Sequence, residues 1–270
     1  MKKILAGIIL PILMINFILL TSCKQRGTEN QQKNTEIEKI ETQIEKNVYP
    51  LPTSAEVIEM LTELEVGYIF GISNPVENTK KYFTSTTRAI NMGVFGADLS
   101  YATLYNMHQI VLDYLGAIRT LSNELNLSKI YNAAFYDSIL KNRDSKNDLV
   151  RILTSEFNNT YGYLVENDQQ TLALLVVGGA WVEGMYLTTH VSEAAYQVAG
   201  ISGVLLEQKK SFELFLEITK PYANDPSVSD FVAKLDPVKK VYEGLGTSLT
   251  EQNIKDITVA ITAVREQIVQ

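Results

Sequence analysis

The regular spacing of apolar residues constrains the fold of this 270-residue chain more than any other feature. Apolar side chains recur at intervals of three and four residues over residues 104–125, 149–164, 228–242 and 254–268. That spacing places them along one face of an α-helix, whereas a half-buried strand needs strict alternation, which we do not find. The pattern predicts an all-α protein, a bundle of about eight or nine helices.

The N-terminus has the composition of a secretory leader. Lys2 and Lys3 supply a positive start, and residues 4–20 are almost wholly apolar. This apolar run of about 17 residues lies at the short edge of the length that spans a bilayer. Pro11 weakens a permanent membrane helix further. The sequence therefore favours a cleaved leader over a transmembrane segment.

Cys23, the only cysteine, closes the run Leu20-Thr21-Ser22-Cys23 directly behind the apolar stretch. This run resembles the lipobox of bacterial lipoproteins. The resemblance implies cleavage before Cys23, diacylglycerol on its thiol and a further acyl chain, such as palmitate, on the new amine. Two or more acyl chains hold a protein stably on a membrane. An ordinary signal peptidase site is the alternative, but Leu20 fits a lipobox better than the small residue such a site prefers.

The same resemblance bears on location. A non-acidic residue after the cysteine, here Lys24, implies transfer to the outer membrane. Surface-exposed relatives tend to carry an acidic cluster just behind the cysteine, and residues 24–28 contain none. We therefore expect a lipid-anchored protein of the outer membrane that faces the periplasm.

The sequence divides into a lipoprotein signal peptide at residues 1–22, an acylated cysteine with a flexible polar tether at residues 23–52, and a single helical domain at residues 53–270. Loss of the two leader lysines changes the formal net charge from −7 to −9. Nucleic-acid binding needs a basic face, so this composition argues against a nucleic-acid partner. The expected partners are the membrane, through the lipid on Cys23, and another envelope protein.

The run INMGVFGADLSYA at residues 90–102, taken with the lipobox, carries a further resemblance. It is similar to a segment of uncharacterised all-helical lipoproteins of Bacteroidetes. The resemblance implies the location and the helical fold. It transfers no catalytic residue, because that family has no established activity.

Two glycine-containing runs, residues 95–99 and residues 178–182, resemble each other about 83 residues apart. One interpretation is an internal duplication that gives the domain two related helical halves. Glycine inside a helix costs about 1 kcal/mol relative to alanine. Gly178 and Gly179 are therefore expected to permit close packing of two helices. The alternative is a ligand bound against the bare backbone at Gly178.

Asp98 lies among apolar and aromatic residues in the sequence and is the acidic residue that points most clearly to a site. A tyrosine-lined pocket between the two glycine-containing runs would bind a small ligand through Asp98, Tyr101, Tyr105 and Trp181. Tyrosine suits such a pocket because it joins an apolar ring to a polar hydroxyl. The alternative is a structural Asp98 that caps a helix or accepts a hydrogen bond from a tyrosine.

The two histidines are weak candidates for a metal site. His190 and Glu193 are three residues apart and share a helix face with Glu183, and His108 is a further candidate ligand. The Glu-x-x-His pattern of di-iron bundles fails at both histidines. The sequence also lacks a nucleophile elbow and a phosphate-binding glycine loop. We therefore expect no metal, no cofactor and no catalytic residue.

The functional hypotheses follow in order. The first is a lipid-anchored, periplasm-facing helical envelope protein with a non-enzymatic binding or accessory role. The second is a small-ligand binder that uses the tyrosine-lined pocket. The third is a metal-dependent enzyme that uses His190 and Glu193.

Overall fold

The computed structural model describes residues 67–193 and 201–270, all of which belong to one compact unit, residues 44–270. The leader, Cys23, the tether and the first predicted helix lie outside these residues. The described part of the chain contains nine α-helices, two short 3-10 helices and no strand, which confirms the all-α prediction.

The α-helices are α1 (Ser85–Leu104), α2 (His108–Glu124), α3 (Ala133–Lys141), α4 (Lys146–Glu166), α5 (Gln170–Glu193), α6 (Ile201–Thr219), α7 (Pro226–Lys234), α8 (Asp236–Glu243) and α9 (Glu251–Val269). One 3-10 helix precedes α1 (Val76–Lys81), and the other follows α6 (Lys220–Tyr222).

Helix α5 forms the centre of the bundle and packs most extensively against α1, with α9 and α4 also in contact with it. Residues 170–191 of α5 have a mean hydropathy of 1.4, and by length and composition alone they could cross a membrane. However, 83% of the apolar window is buried inside the bundle. A helix that is apolar on all sides is typical of a protein core. In the described ranges, α5 is therefore the core helix.

Glycines allow α1 and α5 to cross with their backbones in contact. A Cβ atom added to Gly93 would lie 2.0 Å from the carbonyl oxygen of Val176, and one added to Gly179 would lie 2.0 Å from that of Ile90. No side chain fits in such a gap. The neighbouring Gly178 faces the rings of Phe231 and Phe215 instead, on α7 and α6. The expected close packing is confirmed for both glycines of α5.

The crossing corrects two details of the sequence interpretation. The glycine of α1 that touches α5 is Gly93, three residues before the Gly96 that the comparison of the two runs paired with Gly179. A Cβ on Gly96 would meet no atom within 4 Å. At Gly178 the ring of Phe231 occupies the space in which a ligand was the alternative.

Three helices end in the same way, with a residue in the left-handed conformation. Asn106, Asn126 and Asp168 have φ angles of 54°, 60° and 58° and follow the ends of α1, α2 and α4. At α1 the amide after Asn106 donates to the carbonyl of Ala102, five residues earlier, which is the Schellman arrangement. The apolar spacing over residues 104–125 suggested continuous helix from Leu104. The left-handed turn at Asn106 instead separates α1 from α2.

The C-terminal part differs from the sequence pattern in two similar ways. The stripe over residues 228–242 belongs to two helices, α7 and α8, which are separated at Leu235, where Pro237 begins the next helix. Helix α9 is capped by Thr250, whose side chain and Asn253 form a reciprocal capping box. The earlier candidate cap, Ser248, lies two residues outside it.

Candidate functional site

The segment before α1 crosses the bundle without regular hydrogen-bonded partners of its own, and we call residues 67–82 the strap. Side chains from three helices satisfy its backbone. The amide of Ile69 donates to the hydroxyl of Tyr101 on α1 at 3.0 Å. The carbonyl of Asn74 accepts from the hydroxyl of Tyr114 on α2 at 3.1 Å. The carbonyl of Ile72 accepts from Arg265 on α9 at 3.3 Å.

Asp98 lies at the middle of this arrangement and is fully buried. Its Oδ2 accepts a hydrogen bond from the amide of Asn74 at 3.1 Å. Its Oδ1 has no hydrogen-bond partner among the described residues. Buried polar atoms are nearly always paired, so this oxygen requires an explanation.

Glu183 on α5 is also fully buried and forms an ion pair with Arg265. Arg265 donates to both carboxylate oxygens, from Nε at 2.6 Å and from Nη2 at 2.8 Å. Its guanidinium carbon lies 4.0 Å from the centre of the Tyr186 ring, in a cation–π position. The pair therefore joins α5 to α9 through the core.

The helix crossing explains why two carboxylates share one region. Asp98 follows the crossing glycine of α1, Gly93, by five residues, and Glu183 follows Gly179 of α5 by four. Burial and then the neighbouring Glu183 carboxylate hold the pKa of Asp98 well above its ordinary value of 3.8. Burial opposes the charge of Arg265, but the Glu183 carboxylate outweighs it and raises the pKa of the guanidinium.

Tyrosines surround the two acids. Tyr82 of the strap donates to the carbonyl of Val269 at the end of α9 and accepts from the side chain of Asn74. Burial raises the pKa of Tyr82 to about 12. Burial also raises the pKa of Tyr114, which is therefore uncharged at neutral pH. We call the set formed by Asn74, Asp98, Tyr114, Glu183 and Arg265 the buried polar cluster.

The structure does not assemble the tyrosine-lined ligand pocket that the sequence suggested. Asp98 and Tyr101 are 0% and 1% exposed, and the two glycine-containing helices meet backbone to backbone. Tyr101 and Tyr105 pack against each other and against Tyr68 of the strap. These side chains fill the core, so no space between the glycine segments is left for a ligand.

Trp181 lies away from these tyrosines, in a separate aromatic group. It is fully buried and stacks on Phe212 of α6 with ring centroids 4.9 Å apart. Phe212 in turn contacts Tyr242 of α8. The prediction that Trp181 and Asp98 share one site is therefore wrong, because Trp181 packs against α6 whereas Asp98 binds the strap.

The candidate metal ligands are not brought together either. Glu183 has both oxygens bound by Arg265. The Nδ1 atom of His190 lies 2.8 Å from the carbonyl oxygen of Tyr186, and its ring packs on the ring of that tyrosine. His108 begins α2. The side chain of Glu193 lies outside the described residues. Among the residues that the structure describes, no group of three histidine, cysteine or acidic side chains could hold a metal ion.

An open cleft with a volume of about 560 Å³ lies between α6, the 3-10 helix that follows it, α7 and the start of α8. Its apolar walls come from Phe212, Leu216, Ala223, Val228, Val232, Ala233 and Leu235. Its charged residues are Glu213, Glu217, Lys220, Asp236 and Lys239. We call this site the α6–α8 cleft. Volumes of about 300–1,000 Å³ with mostly apolar walls are typical of small-molecule sites.

Sequence reasoning missed both the cleft and half of the buried polar cluster. Asn74 was identified only as part of a helix start, and Arg265 was not singled out. Arg265 follows Val264 in the apolar stripe of α9, and a charged residue beside such a stripe is the only signal that the sequence offered. The cleft has no sequence signal, because its walls belong to ordinary amphipathic helices.

No protein-family model, curated protein or solved structure matches this chain. Consequently no activity, ligand or partner is transferred to it from a relative.

Proposed function

We propose that this chain is a lipid-anchored, periplasm-facing protein of the outer membrane with a non-enzymatic binding role, and that the α6–α8 cleft is its binding site. One observation carries the choice of site: the cleft combines volume, apolar walls and access, whereas the buried polar cluster has no room for a ligand. A closed cluster of this kind supports the fold. An open apolar cleft supports recognition.

The lining of the cleft defines the class of ligand. Its deepest apolar side chains, Phe212, Val228 and Leu235, are buried at 1% exposure or little more and form a fixed floor. Lys220 is paired with Glu217 at the rim. Of the other charged groups, Glu213 and Asp236 outnumber Lys239, so an anionic head group would meet net repulsion. We expect a small molecule with an apolar body and a neutral or cationic polar end.

Native mass spectrometry of the acylated protein, purified in mild detergent from its own envelope, tests this function. A bound small molecule of that class would support ligand binding. A defined complex with another envelope protein and an empty cleft would favour an accessory role instead. Recovery of the protein alone, with no molecule retained or rebound from an envelope lipid extract, would contradict the proposed site.

The anchor is tested separately at Cys23. Metabolic labelling with a fatty-acid analogue is expected to mark the wild-type protein and not the Cys23→Ser variant. The variant is also expected to leave the membrane fraction, because acylation supplies the stable attachment. Equal labelling of both proteins would contradict the lipid anchor without bearing on the cleft.

A further inference from the structure

The buried polar cluster contains an unbalanced set of charges. If both acids were ionised, Asp98 and Glu183 would bring two negative charges into the core, and Arg265 would bring one positive charge. Arg265 is already bound by both oxygens of Glu183. Asp98 Oδ1 receives no hydrogen bond among the described residues. An unpaired buried charge is strongly destabilising.

Every titratable group that faces Asp98 was considered for the missing positive charge. These groups are Glu183 and Tyr186 of α5, Arg265 of α9, Tyr114 of α2, and Tyr68 and Tyr82 of the strap. Burial raises the pKa of each of the four tyrosines, so all four are neutral at physiological pH. None of them supplies a cation. Arg265 is the single cation that acts on Asp98 in this set.

We propose that Asp98 and Glu183 hold one shared proton when the domain is folded at neutral pH, and that this bound proton keeps the strap on the bundle. The proton places a hydroxyl on Asp98 Oδ1 that can donate to the Glu183 carboxylate. Asp98 Oδ2 continues to accept from the amide of Asn74. The cluster is then neutral overall, and the orphaned oxygen has its partner.

The strap is the element that responds when this proton is lost. An ionised acid pair needs water, and the strap supplies three of the groups that meet the cluster: the carbonyl of Ile72 and the amide and carbonyl of Asn74. Up to Pro75 the strap has no helix, so its opening breaks only a few hydrogen bonds. Separating α1 from α5 would break the whole glycine crossing. Local opening therefore takes place at the strap.

The sign of the pH dependence follows from the direction of the shift. Burial and Glu183 raise the pKa of Asp98 in the folded chain above its ordinary value of 3.8. The stabilisation by the proton is therefore fully present below about pH 4 and is lost as the pH rises through the folded pKa. Asp98→Asn places a permanent N–H donor where the proton was, so it removes this dependence.

Urea unfolding of the purified full-length protein over a series of pH values tests the inference. Above about pH 4, the unfolding equilibrium constant of the wild type relative to Asp98→Asn is expected to rise about tenfold per pH unit, up to the folded pKa. Asp137→Asn, at an exposed position on α3, is the matched control and is expected to give a flat ratio. A flat ratio for Asp98→Asn as well would overturn the proposal.

Two measurements on the wild type keep the test independent of how the variant folds. Infrared spectroscopy at neutral pH is expected to show the carbonyl stretch of a buried protonated carboxyl group, and its absence would contradict the bound proton. Hydrogen exchange, corrected for the intrinsic rate, is expected to show loss of protection in residues 67–82 at alkaline pH before any loss in α5. Simultaneous loss in both would contradict the role assigned to the strap.

Discussion

Arg265 binds Glu183 through two hydrogen bonds of 2.6 and 2.8 Å, and this pair connects the last helix of the chain to the core helix. The Glu183 side chain is fully buried and that of Arg265 is 12% exposed. Removing one partner would leave the other charge unpaired in the core. Removing both would leave an apolar interface of similar volume, which is often nearly neutral.

The first prediction concerns this pair. Glu183→Leu is expected to lower the free energy of unfolding by about 3–5 kcal/mol. The double variant Glu183→Leu with Arg265→Leu is expected to lose less than Glu183→Leu alone, because no charge remains unpaired. Arg151→Met, which removes an exposed ion pair with Asp148, is the control and is expected to cost at most about 0.5 kcal/mol. Chemical denaturation measures all three, and strict additivity would contradict the coupling.

The glycine crossing yields the second prediction. Gly93→Ala and Gly179→Ala each force a methyl group to within 2.0 Å of a backbone carbonyl oxygen. Because neither helix backbone can move aside, each is expected to cost about 3 kcal/mol or more. Gly96→Ala, in the same helix with open space at its Cβ, is expected to stabilise by about 0.5–1 kcal/mol. Equal thermal midpoints for Gly93→Ala and Gly96→Ala would refute the crossing.

The third prediction tests the attachment of the strap. Tyr114→Phe removes the hydroxyl that donates to the carbonyl of Asn74. Loss of a buried hydrogen bond is expected to cost about 1–2 kcal/mol. Faster hydrogen exchange is expected in residues 67–82, whereas Tyr163→Phe on α4 should leave that segment unchanged. Unchanged exchange in the Tyr114 variant would mean that this bond does not hold the strap.

The fourth prediction uses the end of α4. Asp168 adopts a left-handed φ of 58°, which costs a residue with a side chain about 1–2 kcal/mol and costs glycine nothing. Asp168→Gly is therefore expected to raise the free energy of unfolding by about 0.5–1 kcal/mol, after the greater chain entropy of glycine is counted. Asp168→Ala retains the strain and serves as the comparison. A destabilised glycine variant would contradict this helix ending.

The helices were predictable because local spacing determines them. The stripe over residues 149–164 corresponds to α4, and the apolar run around Trp181 corresponds to the core helix α5. Apolar spacing failed where an apolar stripe continued through a break, as at Asn106 and Leu235. There a left-handed turn or a proline ended the helix without interrupting the sequence of apolar residues.

The site was less predictable, because it depends on which helices cross. Asp98 was correctly identified as unusual, yet its partners lie at Asn74, 24 residues away along the chain, and on two distant helices. A single sequence carries no record of such contacts. The pairing of Glu183 with Arg265, 82 residues apart, required the helix crossing to be known.

The central claim is that the α6–α8 cleft binds the ligand, and Ala233→Trp tests it most directly. Ala233 is exposed on the cleft wall, so a tryptophan there fills the cleft without entering the core. Ala134→Trp, at an exposed position of α3, is the matched control. Native mass spectrometry after purification from the envelope is expected to show a bound small molecule in the wild type and in Ala134→Trp, and none in Ala233→Trp. Equal occupancy in all three proteins would contradict the account.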